Sequence, residues 1–571
     1  MQLKLDQLST SQTTTMRLKF LITKAMDKIA ARNAKFEFPI TDLPNELVAH
    51  IIEFINDISA LRNLACSCHR LQHLTEPVLW RKLLVRERQR LRRTLDAYGS
   101  RRERAAALQV LNVPCKSESG NDMSGLASVI RKAQNLKELM IESPSCNLAD
   151  FEADEVWRPM MDQLFLPFQH AIGDGLFIPK PLQKLTRRKS LHYHRGSKLH
   201  STSLSLWFVA QSLTRPTVTL HLNGPKSPYW TPDHRSLPIF LHPTLKYLKL
   251  ACVNFPDDLF NEVTERATTP LQHLVLEECN ITHRGLHGLL ALPKALEHLY
   301  LGENCHNERQ FPNHEVAPSY NHLFRRDAEA TVEAIGQQKH SLRSLTYVAA
   351  SVYSWSTGQL LGGVLQPRRG GIDAAFADFI ELESVTAIGS SSGFERAVMS
   401  SVPPPKLRYL TYQAENPLTS PQGSSQRHNG DEAEMDRRLV ALLPFLRAPS
   451  SSVPPGFKSL KIIYQRAHTQ FVELTREKQT HVEKTAKALK AVYGADLTVG
   501  FKSFRGYYPP FLYGEREPEE QMIFDSEKGG FVRTAQAHHH HHLEDDDTSD
   551  DDDSDDTNSD EEWTPQPTVC V

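Results

Sequence analysis

Residues 271–290 read LQHLVLEECNITHRGLHGLL. Leu271, Leu274 and Leu276 are spaced L-x-x-L-x-L, so the last two leucines alternate with His273, Val275 and Glu277. That is the pattern of a short strand with one face buried. Cys279 and Ile281 continue the apolar side, and Gly285-Leu286-x-x-Leu289 follows at helical spacing. Neighbouring copies begin at Leu245 (LKYLKLACVNF) and Leu296 (LEHLYLGEN), steps of 26 and 25 residues. A unit of this length cannot bury its apolar side alone, whereas stacked copies share a continuous core.

Weaker copies extend the pattern in both directions. Leu136-x-x-Leu139-x-Ile141 and Val218-x-Leu220-x-Leu222 precede it. Leu342-x-x-Leu345-x-Tyr347, Leu382-x-x-Val385, Leu407-x-x-Leu410-x-Tyr412 and Leu460-Lys-Ile-Ile463 follow it, and the spacing widens to 46 residues between Leu296 and Leu342. The array resembles the cysteine-containing type of leucine-rich repeat, in degenerate form. That resemblance implies a solenoid of parallel strands with convex-side helices, the Leu and Cys side chains in a shared core and Thr282 capping a helix. Alternation then sends Tyr247, Lys249, His273, Val275, Glu277, His298, Tyr300, Tyr409 and Thr411 to the outer face of the strands. Of these, Tyr247, Lys249, His273, Glu277, His298 and Tyr300 are the candidate substrate-binding residues.

A second informative block lies at residues 43–80, LPNELVAHIIEFINDISALRNLACSCHRLQHLTEPVLW. Leu47, Ile51, Ile52 and Ile55 recur on one helical segment, Leu61, Leu64, Ala65 and Cys68 on a second, and Leu71, Leu74, Val78, Leu79 and Trp80 on a third. Thr41 or Asp42 is expected to cap the first helix, with Pro44 at its first position. Three helices this short need a partner or a neighbouring domain to cover their apolar faces. The ordered set Leu43-Pro44-x-Glu46, Ile51/Ile52, Leu61-x-x-Leu64, Cys66/Cys68 and Leu79-Trp80-Arg81 resembles the F-box family. The resemblance implies docking on a Skp-type adaptor, and through it a cullin, by Leu43, Pro44, Glu46, Ile51, Ile52, Leu61, Leu64, Leu79 and Trp80.

These readings divide the chain into an N-terminal arm (1–38), the F-box (39–84), a basic linker helix (85–110), the repeat domain with a C-terminal cap (111–525) and a His/Asp-rich acidic tail (526–571). The fold class is an α+β solenoid: a three-helix F-box followed by an irregular leucine-rich-repeat array. The amphipathic stretch from Phe471 to Tyr493, stopped by Gly494, and the aromatic run from Ser503 to Gly514 are assigned to the cap. Gly362–Gly371 and Pro417–Asp431 have the composition of surface loops.

The chain has 571 residues, 40% of them hydrophobic, enough for more than one domain with a real core. No apolar run reaches bilayer-spanning length, and no membrane partner is expected. Eight cysteines without paired spacing point to reduced thiols and to the cytoplasm or nucleus. The net charge of −2 conceals a division. Glu544–Glu562 holds 13 acids and no base, leaving 66 basic against 55 acidic residues elsewhere. The tail is therefore expected to screen a basic body from polyanions, and Ser549, Ser554 and Ser559 sit in acidic context for a kinase. Only Tyr98 interleaves with the arginines after Trp80, so nucleic-acid binding is not expected.

No phosphate-binding loop, H-E-x-x-H, G-x-S-x-G or repeated CxxC is present. The run His538–His542 has no scaffold to impose a coordination geometry. No catalytic, metal or cofactor site is assigned. The reading is a non-catalytic substrate receptor of an SCF-type ubiquitin ligase that binds an unidentified target protein. The alternative is a non-ligase scaffold using the same two surfaces.

Overall fold

The computed structural model describes residues 40–85, 101–114, 135–142, 217–222, 229–261, 268–303, 323–349, 376–388, 403–414, 456–466, 476–503 and 520–532, with scattered positions between them. The arm before Ile40, both glycine- or proline-rich loops, Phe471, Leu474, most of the aromatic run after Ser503, the His run and the acidic segment lie outside the described residues. The chain divides into two compact units at the boundary between Leu79 and Trp80.

Among the described residues the first unit has three α-helices, α1 (Asn45–Glu53), α2 (Ile58–Ser67) and α3 (His69–Leu79). Thr41 and Asp42 do not cap α1, contrary to the sequence reading. They belong to a single 3-10 turn, Ile40–Asp42, and the extended Pro44 stands at the N-cap, its carbonyl accepting from Leu47 and Val48 N–H. Proline has no side-chain acceptor, so the end of α1 is held from α3 instead. Arg70 donates through Nε to Asn45 Oδ1 at 2.8 Å and through Nη2 to the Leu43 carbonyl. Helix α2 has an ordinary aspartate cap, with Asp57 accepting from Ser59 N at 2.9 Å and Ala60 N at 3.3 Å. Val48, Ile52, Leu61 and Leu71 form the core of this unit.

In the second unit the described strands form one fourteen-stranded sheet whose spatial order follows chain order. They are β1 (Lys82–Leu84), β2 (Val110–Pro114), β3 (Glu138–Glu142), β4 (Thr217–His221), β5 (Tyr247–Ala251), β6 (His273–Cys279), β7 (His298–Glu303), β8 (Ser344–Val348), β9 (Ser384–Ile388), β10 (Tyr409–Ala414), β11 (Ser459–Arg466), β12 (Asp496–Ser503), β13 (Glu520–Asp525) and β14 (Gly530–Phe531). Pairing is parallel from β1 to β12. Parallel neighbours require the intervening chain to return to the starting end of the sheet each time. The last two strands are antiparallel, a departure from the all-parallel expectation.

Register places chemically like positions side by side. Leu248, Leu274, Leu299, Leu345, Val385, Leu410, Leu460 and Leu497 align in one buried column, and Leu250, Leu276, Leu301, Tyr347, Ala387, Tyr412, Ile462 and Val499 in the next. Each weak copy named from the sequence contributes residues to a strand, although Leu460, read as a repeat's opening leucine, pairs with Leu410 and not with Leu407. Where Tyr347 replaces leucine the core becomes aromatic, with Phe324 at 4.7 Å and Phe394 at 4.8 Å between ring centres. The Tyr347 hydroxyl donates to buried Glu303 at 2.5 Å, and that same carboxylate accepts from Leu323 N at 2.8 Å. A buried carboxylate is tolerable only when it is hydrogen-bonded in this way.

Helices occupy some of the return connections: α4 (Arg102–Ala107), α5 (Leu237–Phe240), α6 (His283–Leu290), α7 (Leu323–Arg326), α8 (Ala328–Gly336) and α9 (Arg476–Tyr493). Thr282 is the N-cap of α6, accepting from Gly285 N at 3.1 Å while its hydroxyl donates to Asp257. Cys279 lies in the core with Sγ 3.3 Å from the Glu277 carbonyl, and burial pushes its thiol above the usual range. Gly494, at φ 67°, ends α9 in the left-handed conformation that favours glycine.

Two boundaries shift from the sequence reading. β1 lies within residues assigned to the F-box, and β2 begins at Val110, the last residue of the supposed linker helix. Leu83 packs against the sheet core and Leu108 and Leu111 are buried in it, so this stretch belongs to the sheet unit. At the other end, a tail starting at 526 cuts the hairpin between β13 and β14, whose turn is closed by Asp525 accepting from Glu527 N and Lys528 N.

Candidate protein-docking surfaces

On the helical unit one row of large apolar side chains is exposed. Leu47 is 51% exposed, Ile51 39%, Phe54 53% and Ile58 53%. The spacing of 4 and 3 residues keeps Leu47, Ile51 and Phe54 on one side of α1 and its C-cap while Val48 and Ile52 turn inward, and Ile58 is the first residue of α2. His50 stands edge-on to Phe54 at 4.9 Å and lies 3.9 Å from Glu53, so a polar margin borders the row. Exposed Pro44 and Glu46 precede it in the chain.

The nine adaptor-binding candidates fall into four groups. Pro44, Glu46 and Ile51 are exposed. Leu43, Leu64 and Leu79 are half-buried against the unit's own core, and Ile52 and Leu61 are part of that core, out of a partner's reach. Trp80 is in the sheet unit. Its ring meets Tyr98 edge-on at 5.2 Å, lies beneath the Arg104 guanidinium at 5.1 Å and packs against the sheet core. Burial pushes the Tyr98 phenol well above its usual range. Leu47, Phe54 and Ile58 were missed as contact residues. For Leu47 and Phe54 the signal that could have found them is a second apolar stripe beside the core stripe of α1; Ile58, at the start of α2, lies outside that stripe.

On the sheet, register joins the six substrate-binding candidates into one area. Tyr247, His273 and His298 occupy equivalent positions on β5, β6 and β7. The Tyr247 and His273 ring centres are 5.9 Å apart, and His273 and His298 stack at 4.3 Å with planes 6° apart. Two residues along, Lys249, Val275 and Tyr300 form a second row, and Lys249 Nζ meets Glu277 Oε2 at 2.6 Å. Burial, and then the neighbouring His273, hold His298 below the ordinary histidine range. Burial pushes the Tyr247 phenol up. Tyr409 and Thr411 share this face but lie on β10, three strands from β7.

Among the described residues no group of three or more His, Cys, Asp or Glu is placed to hold a metal ion, and no helix is long and apolar enough to cross a membrane. The geometry offers two surfaces suited to binding: an exposed apolar row on α1 and the start of α2, and a polar, ring-lined face on the sheet.

No curated protein matches the chain. Residues 40–86 match the F-box-like family, a span that takes in the three helices and continues for seven residues into the sheet unit. F-box domains generally bind Skp-type adaptors. The three-helix unit thus belongs to an F-box-like domain, which points to a role in SCF-type complexes through Skp binding.

Proposed function

We propose that this protein is a substrate-recognition subunit of an SCF-type ubiquitin ligase. The row Leu47, Ile51, Phe54 and Ile58 on an F-box-like domain carries that reading, because large apolar side chains exposed together mark a place where another protein docks. Pro44 and Glu46 extend the row, whereas Ile52 and Leu61 support it from beneath. Through the adaptor the chain would join a cullin.

The sheet unit we read as a degenerate leucine-rich-repeat solenoid. Support comes from the leucine columns, the parallel register and the Thr282-capped helix between β6 and β7. Its outer face, centred on Tyr247, Lys249, His273, Glu277, His298 and Tyr300, would hold a target protein. Such a receptor performs no bond chemistry. It raises the local concentration of target lysines near a charged conjugating enzyme, so that rate comes from proximity. The site of action under this proposal is the cytoplasm or nucleus.

The test is co-purification of the full chain with a Skp-type adaptor. Leu47→Glu together with Ile51→Glu should abolish it while leaving the chain folded, and retention of the adaptor by the folded double variant would refute the docking assignment. A ligase receptor must also raise ubiquitylation of whatever the sheet face captures. Stable capture without ubiquitylation in a reconstituted complex would favour a scaffold.

A further inference from the structure

The outer face of β5–β7 is neutralised from within, and we infer that it takes an extended, uncharged segment of a protein anchored by one aromatic side chain. This inference rests on the reading of the sheet face as the target surface. Tyr247, His273 and His298 make a continuous row of rings, and Tyr300 adds a fourth. Tyr300 lies against Gly302. A Cβ at 302 would come within 3.1 Å of Tyr300 Cε1, so the missing side chain leaves room for the ring. His273 and His298 turn their faces to each other, so the four rings over three strands leave ring edges to which a fifth ring can add by edge contact.

The charges around the rings are arranged against an ionic ligand. On β5, Lys249 is engaged by Glu277 of β6 at 2.6 Å. At the lower rim, Glu297 accepts from Gln272 Nε2 at 3.4 Å, with Lys246 on the β5 side and Arg343 on the β8 side. Burial, and then His273 stacked 4.3 Å away, hold the His298 imidazole below its ordinary range. Beyond β7 six outward positions on three strands, Ser344, Thr346, Ser384, Thr386, Tyr409 and Thr411, carry hydroxyls and no charge, and Val348 and Ile388 continue the same face as apolar side chains. Further on, Lys461 is engaged by Glu520 at 2.7 Å. On the face itself a phosphate or carboxylate would meet Lys249 only by breaking its pair with Glu277, and the other cations, Lys246 and Arg343, stand at the rim; a neutral ring needs neither. The hydroxyl field from β7 to β10 spans about 14 Å, about four extended residues. The fitting segment is therefore an aromatic anchor followed by about four small polar residues.

The test applies the full-length protein to immobilised eight-residue Ser/Thr/Gly peptides carrying one Trp, Glu, phosphoserine or Arg. The Trp peptide should be retained best, with little loss between low and about 0.5 M salt. Burial already favours the neutral form of His298 and a ring packed against it favours that form further, so retention should fall about tenfold from about pH 7 to about pH 5. Preference for Glu or phosphoserine, tightening in acid and weakening in salt, would overturn the inference, as would retention of none of the four. Val275→Lys, which adds an unpaired cation beside Tyr300, should shift preference to the Glu peptide at an unchanged thermal midpoint; an unchanged preference would count against the inference. If Tyr300→Ala and Tyr409→Ala leave retention of every peptide as it was, the sheet face is not the target surface and the parent reading fails. If they abolish retention of a peptide that proves to be acidic, only the aromatic-anchor inference fails.

Discussion

The helical unit and the sheet unit handle apolar surface in opposite ways. With three short helices around Val48, Ile52, Leu61 and Leu71, the first has a small core and leaves four large side chains outside it. The second stacks leucine columns across twelve parallel strands and presents hydroxyls, rings and paired charges outward. Burial grows with the number of stacked elements, so the sheet can cover its apolar side without help whereas the bundle cannot. An uncovered apolar row suits a partner held for the life of the complex. A neutral polar face suits a target that is bound and released.

The contrast can be broken by truncating one core residue in each unit. Leu299→Ala should cost about 2–5 kcal/mol in the sheet unit by urea denaturation and leave it folded in water. Ile52→Ala removes a similar side chain from a unit with far less total burial, and should unfold the bundle at moderate temperature, read as loss of its helical signal. Equal tolerance of the two would remove the distinction drawn between them.

On the exposed row, Leu47→Glu should weaken adaptor binding by about 2 kcal/mol or more, about 30-fold, while shifting stability by no more than about 0.5 kcal/mol. Calorimetric titration and thermal melting report the two quantities separately.

His242 tests the sheet unit through pH. Burial pushes its imidazole down to about 4, below the ordinary value near 6.5. Between those values the unfolded chain binds the proton and the folded chain does not, so stability falls as pH drops through that window, by about 1.4 kcal/mol per unit at most. His242→Gln should flatten this part of the stability profile, measured by denaturation at a series of pH values.

Smaller effects sharpen the local picture. Thr282→Ala removes the cap of α6 and should cost about 1 kcal/mol. Lys249→Met breaks a partly exposed ion pair and should cost about 0.5 kcal/mol or less, so its consequence belongs to target choice rather than to stability.

Most of the sheet could be read from the chain because its period is carried by leucines. Leu248, Leu274 and Leu299 lie at matching phase, and once they are aligned the outward residues follow by alternation. β1 was illegible for the opposite reason. Three residues, Lys82–Leu84, at the entrance to an arginine-rich run offer no repeat of their own and become a strand only by pairing with β2. The F-box signature was plain, but its spacing does not tell which apolar residues face inward. Ile51 and Ile52 are adjacent in sequence, yet one is exposed and the other is wholly enclosed, and only the packing of α3 across α1 decides between them. Trp80 closes the motif in sequence while its side chain packs in the sheet unit.

The central claim is that each unit holds a different partner, and one titration tests it most directly. Purified Skp-type adaptor is titrated into the full chain, into the Leu47→Glu and Ile51→Glu double variant and into a His273→Ala and Tyr300→Ala double variant. The account predicts that the sheet-face variant binds the adaptor as the unaltered chain does, while the helical variant, still folded, does not bind. Binding by the helical variant, or an equal loss in both, would contradict it.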